Sequence, residues 1–447
     1  MTEPTDRELR DLSSQVLVDF MPMASFSADP FVLVEGDGIR VRDSHGRWYI
    51  DGMSGVFVSS FGHRNQRLAE AAAGQALRLA FHLPLHSTNL PTLRLVDRLL
   101  EITAGDYAIA KLTASGSEAT EAAIKMARQY QAQSGHGRRY KILSHYRGYH
   151  GSTGHALAAS GSPGWRSAFE PFAAGFVHVH APFALARRIG SALADPRSVA
   201  DAAIALIEET IELEDPETIA AFVTEPIILS AGVRVPPADY LPRLHALLRN
   251  HGILLIHDEI ITGFGRTGRL FAGEHFGVVP DILCFGKSIS GGYAALAGLM
   301  VQKPVADAFW STTAEGREFR DGHTYGNNPI AAAVGLAALE LLEEGRLVAR
   351  SAELGTRITA RLQAAALPAI TDVRGHGLLI GIELAGADAT GAAVAREARQ
   401  RGLIVRTGIG FVALGPPLTT TDAEADEIVD ILVASVRAAT SEETATD

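Results

Sequence analysis

Three apolar runs in this chain each end on a single charged residue. "IAAFVTEPIIL" reaches Glu225, "GILLIHDEI" reaches Asp258, and "DILCFGKSISGG" carries four apolar residues and a glycine to Lys287. Lysine is seldom buried without a partner. Desolvation favours its neutral amine, and a neutral amine can attack an aldehyde to form a Schiff base. An aspartate at the end of a buried strand either caps or ion-pairs locally, or holds a cationic ring nitrogen in a ligand. Together, Lys287 and Asp258 outline a site for a carbonyl-bearing, nitrogen-heterocyclic cofactor.

Other motifs supply the remaining parts. In "TASGSEATEAAIKMARQY" a Ser-Gly-Ser turn opens a helix with small or apolar residues at Ala119, Ala123, Met126 and Tyr130. Ser115-x-x-Glu118 is a capping box by spacing. The same turn can serve as an anion cup, because helix N-termini present free N–H groups and Gly116 allows close approach. "SHYRGYHGSTGH" holds His145, His150 and His155, whose spacing fits no zinc pattern and includes no carboxylate or thiolate. Tyr149 in that loop suits stacking on a planar ligand or packing in a core. "TGFGRTG" contains Gly263, Gly265 and Gly268, a literal G-x-G-x-x-G. A dinucleotide fingerprint follows a strand directly and opens a helix. Here Asp258-Glu259 intervenes and no helical period follows, so a shaped loop beside the site is expected instead of a nicotinamide site.

The elements that must position these residues are those of an α/β protein. From about residue 65 to 330, helical stretches alternate with short apolar runs, as in repeated β-α units with a mostly parallel sheet. Strands buried on both faces read as continuous apolar runs, and ligands of such sheets sit at the carboxyl ends of the strands. Residues 31–52 read as short strands with a hairpin turn at "DSHGR". A long Ala/Leu-rich helix in "NNPIAAAVGLAALELLEEG" leads into a C-terminal part containing a helix, three strands and a last helix. The expected division is an N-terminal segment (1–60) packing with the small domain, a cofactor-binding large domain (61–334), a small α+β domain (335–440) and a disordered tail (441–447).

Bulk properties narrow the class. The 447 residues are 47% hydrophobic and 20% charged, with a formal net charge of −11. That balance disfavours nucleic acid and anionic membranes as partners. The single cysteine, Cys284, rules out an intrachain disulfide and points to a reducing compartment. No run has the roughly 20 apolar residues of a membrane span, and the N-terminus lacks an apolar signal segment. A cytoplasmic enzyme is expected.

With these motifs in order, "LLIHDEIITGFGRTGRLFAGEHFGVVPDILCFGKSISGG" resembles the signature of class III, pyridoxal-phosphate-dependent aminotransferases. The resemblance extends through "SGSEATEAAIKMAR", "YHG", "TEPI", "GHTYGNNP" and "GPPL", which cover nearly the whole chain. It implies fold type I of the pyridoxal-phosphate enzymes, and a homodimer or dimer of dimers with active sites shared between subunits. It implies that Lys287 carries the internal aldimine and moves a proton at Cα, and that Asp258 keeps the pyridine nitrogen protonated so that the ring accepts electrons. Gly116 and Ser117 would bind the phosphate, with Thr324 reaching it from the neighbouring subunit. Tyr149 would stack on one ring face and Ile260 pack on the other. His150 and Glu225 complete the expected cofactor contacts, Glu225 towards the substrate side.

The substrate follows from finer comparison. Ornithine-type members carry an arginine three residues before the Pro-Pro pair, where this chain has Ala413. The ω-amine:pyruvate and diaminopelargonate types place one ten residues before it, where this chain has Arg406. In the amine:pyruvate type that arginine swings in for a carboxylate and out for an apolar group. Where ω-amine enzymes usually read "SGLW", this chain has Ser54, Gly55, Val56 and Phe57. A glycine usual after "EP[VI]" is Leu229 here, followed by Ser230. Phe57, Phe81, Tyr149, Ser230 and Arg406 are the expected substrate contacts. They would suit a hydrophobic primary amine or ω-amino donor and a keto acid, pyruvate, as acceptor, exchanged by ping-pong kinetics through the Lys287 Schiff base. Aminomutase, racemase, decarboxylase and 2-oxoglutarate-dependent chemistry use the same scaffold; a nicotinamide dehydrogenase is a remote alternative.

Overall fold

The computed structural model describes residues 5–189, 195–386 and 388–443. Fifteen strands occur among them: β1 Leu33–Asp37, β2 Arg40–Asp43, β3 Trp48–Asp51, β4 Ile109–Thr113, β5 Lys141–His145, β6 Phe176–Val179, β7 Ile219–Thr224, β8 Leu254–Asp258, β9 Ile282–Phe285, β10 Ala297–Val301, β11 Ile370–His376, β12 Leu379–Leu384, β13 Leu403–Ile404, β14 Arg406–Gly408 and β15 Phe411–Leu414. A seven-stranded sheet has the order β4-β10-β9-β8-β7-β5-β6. The run from β9 to β6 is parallel, and β10 lies antiparallel between β9 and β4. All residues of β7, β8, β9 and β10 are buried, which is why these strands read as apolar runs without alternation.

Helix Gly116–Gln133 lies against this sheet through Ala119, Ala122, Ala123, Ile124, Met126 and Ala127. The small residues bring helix and sheet backbones close, and Tyr130 stays half-buried at the rim. Ser115 Oγ accepts from Glu118 N at 3.2 Å, as the capping-box spacing predicts. The Glu118 carboxylate, however, accepts from Ala114 N (2.9 Å), one residue before the cap.

The N-terminal strands form a small sheet, β1-β2-β3, with the turn between β2 and β3 at "SHGR". Its fourth strand is β13, parallel to β3, so the N-terminal segment and the C-terminal part share a sheet. The Ala/Leu-rich helix spans Pro329–Glu344 and is followed by Leu347–Ala364 and a sheet ordered β11-β12-β15-β14. The last helix runs Asp422–Glu443, three residues into the expected tail; residues 444–447 lie outside the described part. No described helix is long and apolar enough to cross a membrane.

Candidate active site

Five strands of the seven-stranded sheet deliver residues to one edge. β4 leads to Gly116 and Ser117, β5 to Tyr149 and His150, β7 to Glu225, β8 to Asp258 and Ile260, and β9 to Lys287. These eight residues, with Gly151 and Ile261, line a cavity of about 140 Å³. The three strands picked out by their charged ends are joined by β4 and β5.

Lys287 follows β9 through Gly286 and has a left-handed backbone (φ 47°). No hydrogen bond or ion pair holds its amine among the described residues. Burial lowers its pKa below the ordinary lysine value; the charges of Asp258 and Glu225 oppose the shift and Arg406 adds to it. Asp258 is buried, accepts from Ile260 N at 3.2 Å, and has its other oxygen 2.9 Å from His150 Nδ1. His150 is itself fixed by Ser160 Oγ, which accepts from its backbone N–H at 2.9 Å. The Glu225 carboxylate accepts from Tyr149 N and Leu229 N, both at 3.1 Å. Burial pushes its pKa up to about 7, with His150 opposing and Asp258 reinforcing the rise.

At the opposite wall, the Gly116 and Ser117 N–H groups head the helix and have no intrahelical partner. Ser117 Oγ accepts from Ser152 N at 3.0 Å, which ties the "HGSTG" loop to the cup. A side chain at Gly116 would meet Ile260 Cδ1 at 2.9 Å, and one at Gly151, whose φ is +136°, would meet Ser117 Oγ at 2.6 Å. Both glycines keep the cradle open. Tyr149 rests edge-on against Trp165, with ring centroids 4.8 Å apart.

The other expected contacts lie elsewhere. Arg406 begins β14; it is half-buried, its Nε has no partner among the described residues, and its charge acts on Lys287. Thr324 is exposed, and so is its neighbour Tyr325, whose ring meets Phe81 at 5.8 Å. Phe81 is therefore a surface residue of one chain and not part of the cavity wall. The structure differs from expectation at Phe57. Its backbone turns left-handed (φ 60°), its ring is fully buried, and a Cβ at Gly415 would sit 2.3 Å from it. Phe57 thus packs beneath "GPPL", and Val56 is the exposed residue of the pair. Ser230 spends its hydroxyl on Arg147 O, at 2.5 Å. His145 and His155 turn to other partners: Tyr240 Oη (2.8 Å) and Thr224 Oγ1 for His145, and Glu121 Oε2 (2.8 Å) for His155. The glycine-rich loop folds as turns, with Gly265 and Gly268 at φ +89° and +78°, and leads into the short 3-10 turn Ala272–Phe276. Sequence reasoning passed over Gly151, Ser152 and Trp165. The glycine directly after "YH" was the available signal for the first two.

The residues present suit a phosphorylated aldehyde on a pyridine ring. An unpaired, desolvated amine faces a buried carboxylate, His150 Nε2 has no partner among the described residues, and a glycine-walled helix N-terminus lies across the cavity. This is the class of site that works through a lysine-bound carbonyl cofactor.

The chain matches the family "Aminotransferase class-III" over residues 23–436. It is 38% identical over 418 residues to an uncharacterised aminotransferase of Bacillus subtilis, covering 90% of this chain and 91% of that protein. It is 32% identical to a diaminobutyrate–2-oxoglutarate transaminase of Halomonas elongata, covering 95% and 93%. Among solved structures, an ω-transaminase from Pseudomonas jessenii in complex with PMP superposes with a TM-score of 0.93 at 31% identity, covering 97% of this chain and 98% of that one. A thermostable (S)-enantioselective ω-transaminase from Thermomicrobium roseum gives 0.90 at 37% identity, with 98% of each chain covered. The chain belongs to the class III aminotransferases. Its fold is fold type I of the pyridoxal-phosphate enzymes and its cofactor is pyridoxal 5'-phosphate.

Proposed function

We propose that this aminotransferase moves an amino group from a hydrophobic primary amine or ω-amino compound to a keto acid, pyruvate, by ping-pong kinetics. The observation that carries the reading is the Lys287 amine, lowered in pKa by burial and set in one cavity with Asp258. When bound, the cofactor supplies an aldehyde that Lys287 holds covalently and a ring that accepts the electron pair left at the substrate Cα.

The chain's own groups do the rest. Asp258, held by His150 and Ile260 N, keeps a proton on the ring nitrogen. Gly116 and Ser117 N–H groups hold the phosphate at the helix N-terminus. Tyr149 and Ile260 cover the two ring faces, and Glu225 borders the substrate side. Lys287, whose pKa burial lowers below the ordinary lysine value, would carry the proton to and from the substrate Cα. Arg406 takes the carboxylate of the keto acid. Amine and keto acid use the same space in turn, so the first product leaves before the second substrate enters.

A second copy completes the site. Leu77, Leu83, Leu85 and Leu93 expose apolar surface, as does Tyr325, whose ring meets that of Phe81 and which adjoins Thr324, the residues expected to act across an interface. A homodimer, or a dimer of dimers, covers this surface and brings Thr324 and Phe81 to the neighbour's cavity. The cytoplasm is the compartment in keeping with a single, buried cysteine.

The test is a visible spectrum of the purified protein with pyridoxal phosphate. A yellow band should appear, bleach with a hydrophobic amine and return with pyruvate. A protein that takes up no chromophore refutes the reading. Turnover of the amine without any keto acid would instead establish mutase or racemase chemistry.

A further inference from the structure

The "TGFGRTG" loop contains a residue that the chemistry above leaves unused. Arg266 has no solvent exposure and is the largest fully buried side chain among the described residues. Burial brings its pKa down to about 10, with the charge of Asp51 opposing. No described carboxylate lies within ion-pair distance. Its partners are neutral: Nη1 donates to Pro416 O (2.6 Å) and Leu378 O (3.2 Å), and Nη2 donates to Ser60 Oγ (3.1 Å). Ser60 Oγ is in turn 2.7 Å from Ser288 Oγ. Ser288 adjoins Lys287, and both serines are buried.

This arrangement is costly for a purely structural part. A buried cation loses its hydration, a penalty that no described carboxylate at ion-pair distance offsets here. Three carbonyl and hydroxyl acceptors, however, take hydrogen bonds from Nη1 and Nη2, a spread that suits the two arms of a guanidinium, while Nε has no partner among the described residues. The partners come from three regions of the chain: the N-terminal segment at Ser60, the β11–β12 turn at Leu378, and "GPPL" at Pro416. With Nη2 donating to Ser60 Oγ, the Ser60 hydroxyl hydrogen is free to point at Ser288. The chain of contacts ends on a backbone turn in which Lys287 holds a left-handed conformation, one that a lysine adopts only when its surroundings enforce it.

We propose that Arg266 is a positioning residue for Lys287. It clamps the N-terminal segment and the C-terminal layer to each other and, through the Ser60–Ser288 hydroxyl pair, fixes the turn that aims the Lys287 amine. This rests on Lys287 being the cofactor lysine. The link sets the aim of the amine at Cα and leaves substrate binding unaffected.

The experiment uses the full-length holoenzyme and the Ser60→Ala variant, which cuts the link but keeps both Arg266–carbonyl bonds. Three quantities are read: kcat and KM for a hydrophobic amine, the midpoint of the pH titration of the visible band, and pyridoxal phosphate content. Ser60→Ala should bind cofactor at the wild-type ratio, lose about tenfold in kcat with KM within about twofold, and shift the band's midpoint by about half a pH unit or more. Ser60→Thr restores the hydroxyl and should recover both. If Ser60→Ala fails to fold, Ser288→Ala cuts the same link from the other side and is read in the same way. Wild-type kcat and midpoint in the variant that folds would overturn the proposal, as would equal losses in KM and kcat with an unmoved midpoint. A wild-type protein with no visible band would overturn the function first and this inference with it, a result distinct from a coloured wild type with an indifferent Ser60→Ala.

Discussion

Arg406→Leu separates the two substrates. Arg406 is half-buried on β14, its Nε has no described partner, and no described carboxylate competes for it. Leucine keeps the apolar stem and removes the charged fork. Two charge-assisted N–H···O bonds to a carboxylate are worth about 3 kcal/mol together after desolvation. That corresponds to a factor of about 150 in kcat/KM. The assay varies pyruvate at a saturating hydrophobic amine, and then propanal, an acceptor of similar size without a carboxylate. Pyruvate kcat/KM should fall by about two orders of magnitude, while propanal stays within about threefold. A second signature follows from charge. The Arg406 cation helps to lower the pKa of Lys287. Its loss raises that pKa, so the acid limb of the pH–rate profile moves to higher pH. A variant that uses pyruvate within threefold of wild type would refute the assignment of Arg406 to the keto-acid carboxylate.

Two further predictions concern stability. Burial raises the Glu225 pKa from 4.5 to about 7, so the folded chain holds a proton that the unfolded chain has released. This contribution is complete below pH 4.5 and is lost as pH rises through 7; it amounts to about 3 kcal/mol. In the cofactor-free protein, Glu225→Gln should therefore flatten the fall of Tm between pH 5 and 8, and parallel curves for the two proteins would contradict the shift. Gly355→Ala places a Cβ 1.9 Å from Gly377 O, and the obstacle is backbone, which cannot rotate away. It should cost about 3 kcal/mol or more by forcing helix Leu347–Ala364 off the β11–β12 turn, and an unchanged urea midpoint would show that the two backbones separate freely.

Some of this site could be read along the chain and some could not, for physical reasons. Lys287, Asp258 and Glu225 were legible because a strand buried on both faces is uniformly apolar, so a charge at its end stands out. Gly116 and Ser117 were legible because a capped helix start has its own spacing. Phe57 misled because its direction depends on a left-handed backbone at a non-glycine residue, which composition does not announce. Arg266 was invisible as a partner of Ser60 because the two are 206 residues apart in the chain. The joining of β13 to β3 was hidden for the same reason. A two-residue strand has no periodicity, and its pairing is decided by the packing of distant segments.

The exposure of Thr324 and Phe81, on the same chain whose Lys287 is enclosed, has a genetic consequence. If each catalytic centre combines the lysine of one copy with the threonine of the other, two inactive alleles can complement. Lys287→Ala and Thr324→Glu would each be inactive alone. Co-expressed in equal amounts, half the dimers are hybrids, and one centre in each hybrid inherits both intact residues. About a quarter of the centres then work. The gene would show complementation between alleles of a single locus, a pattern usually read as evidence for two genes.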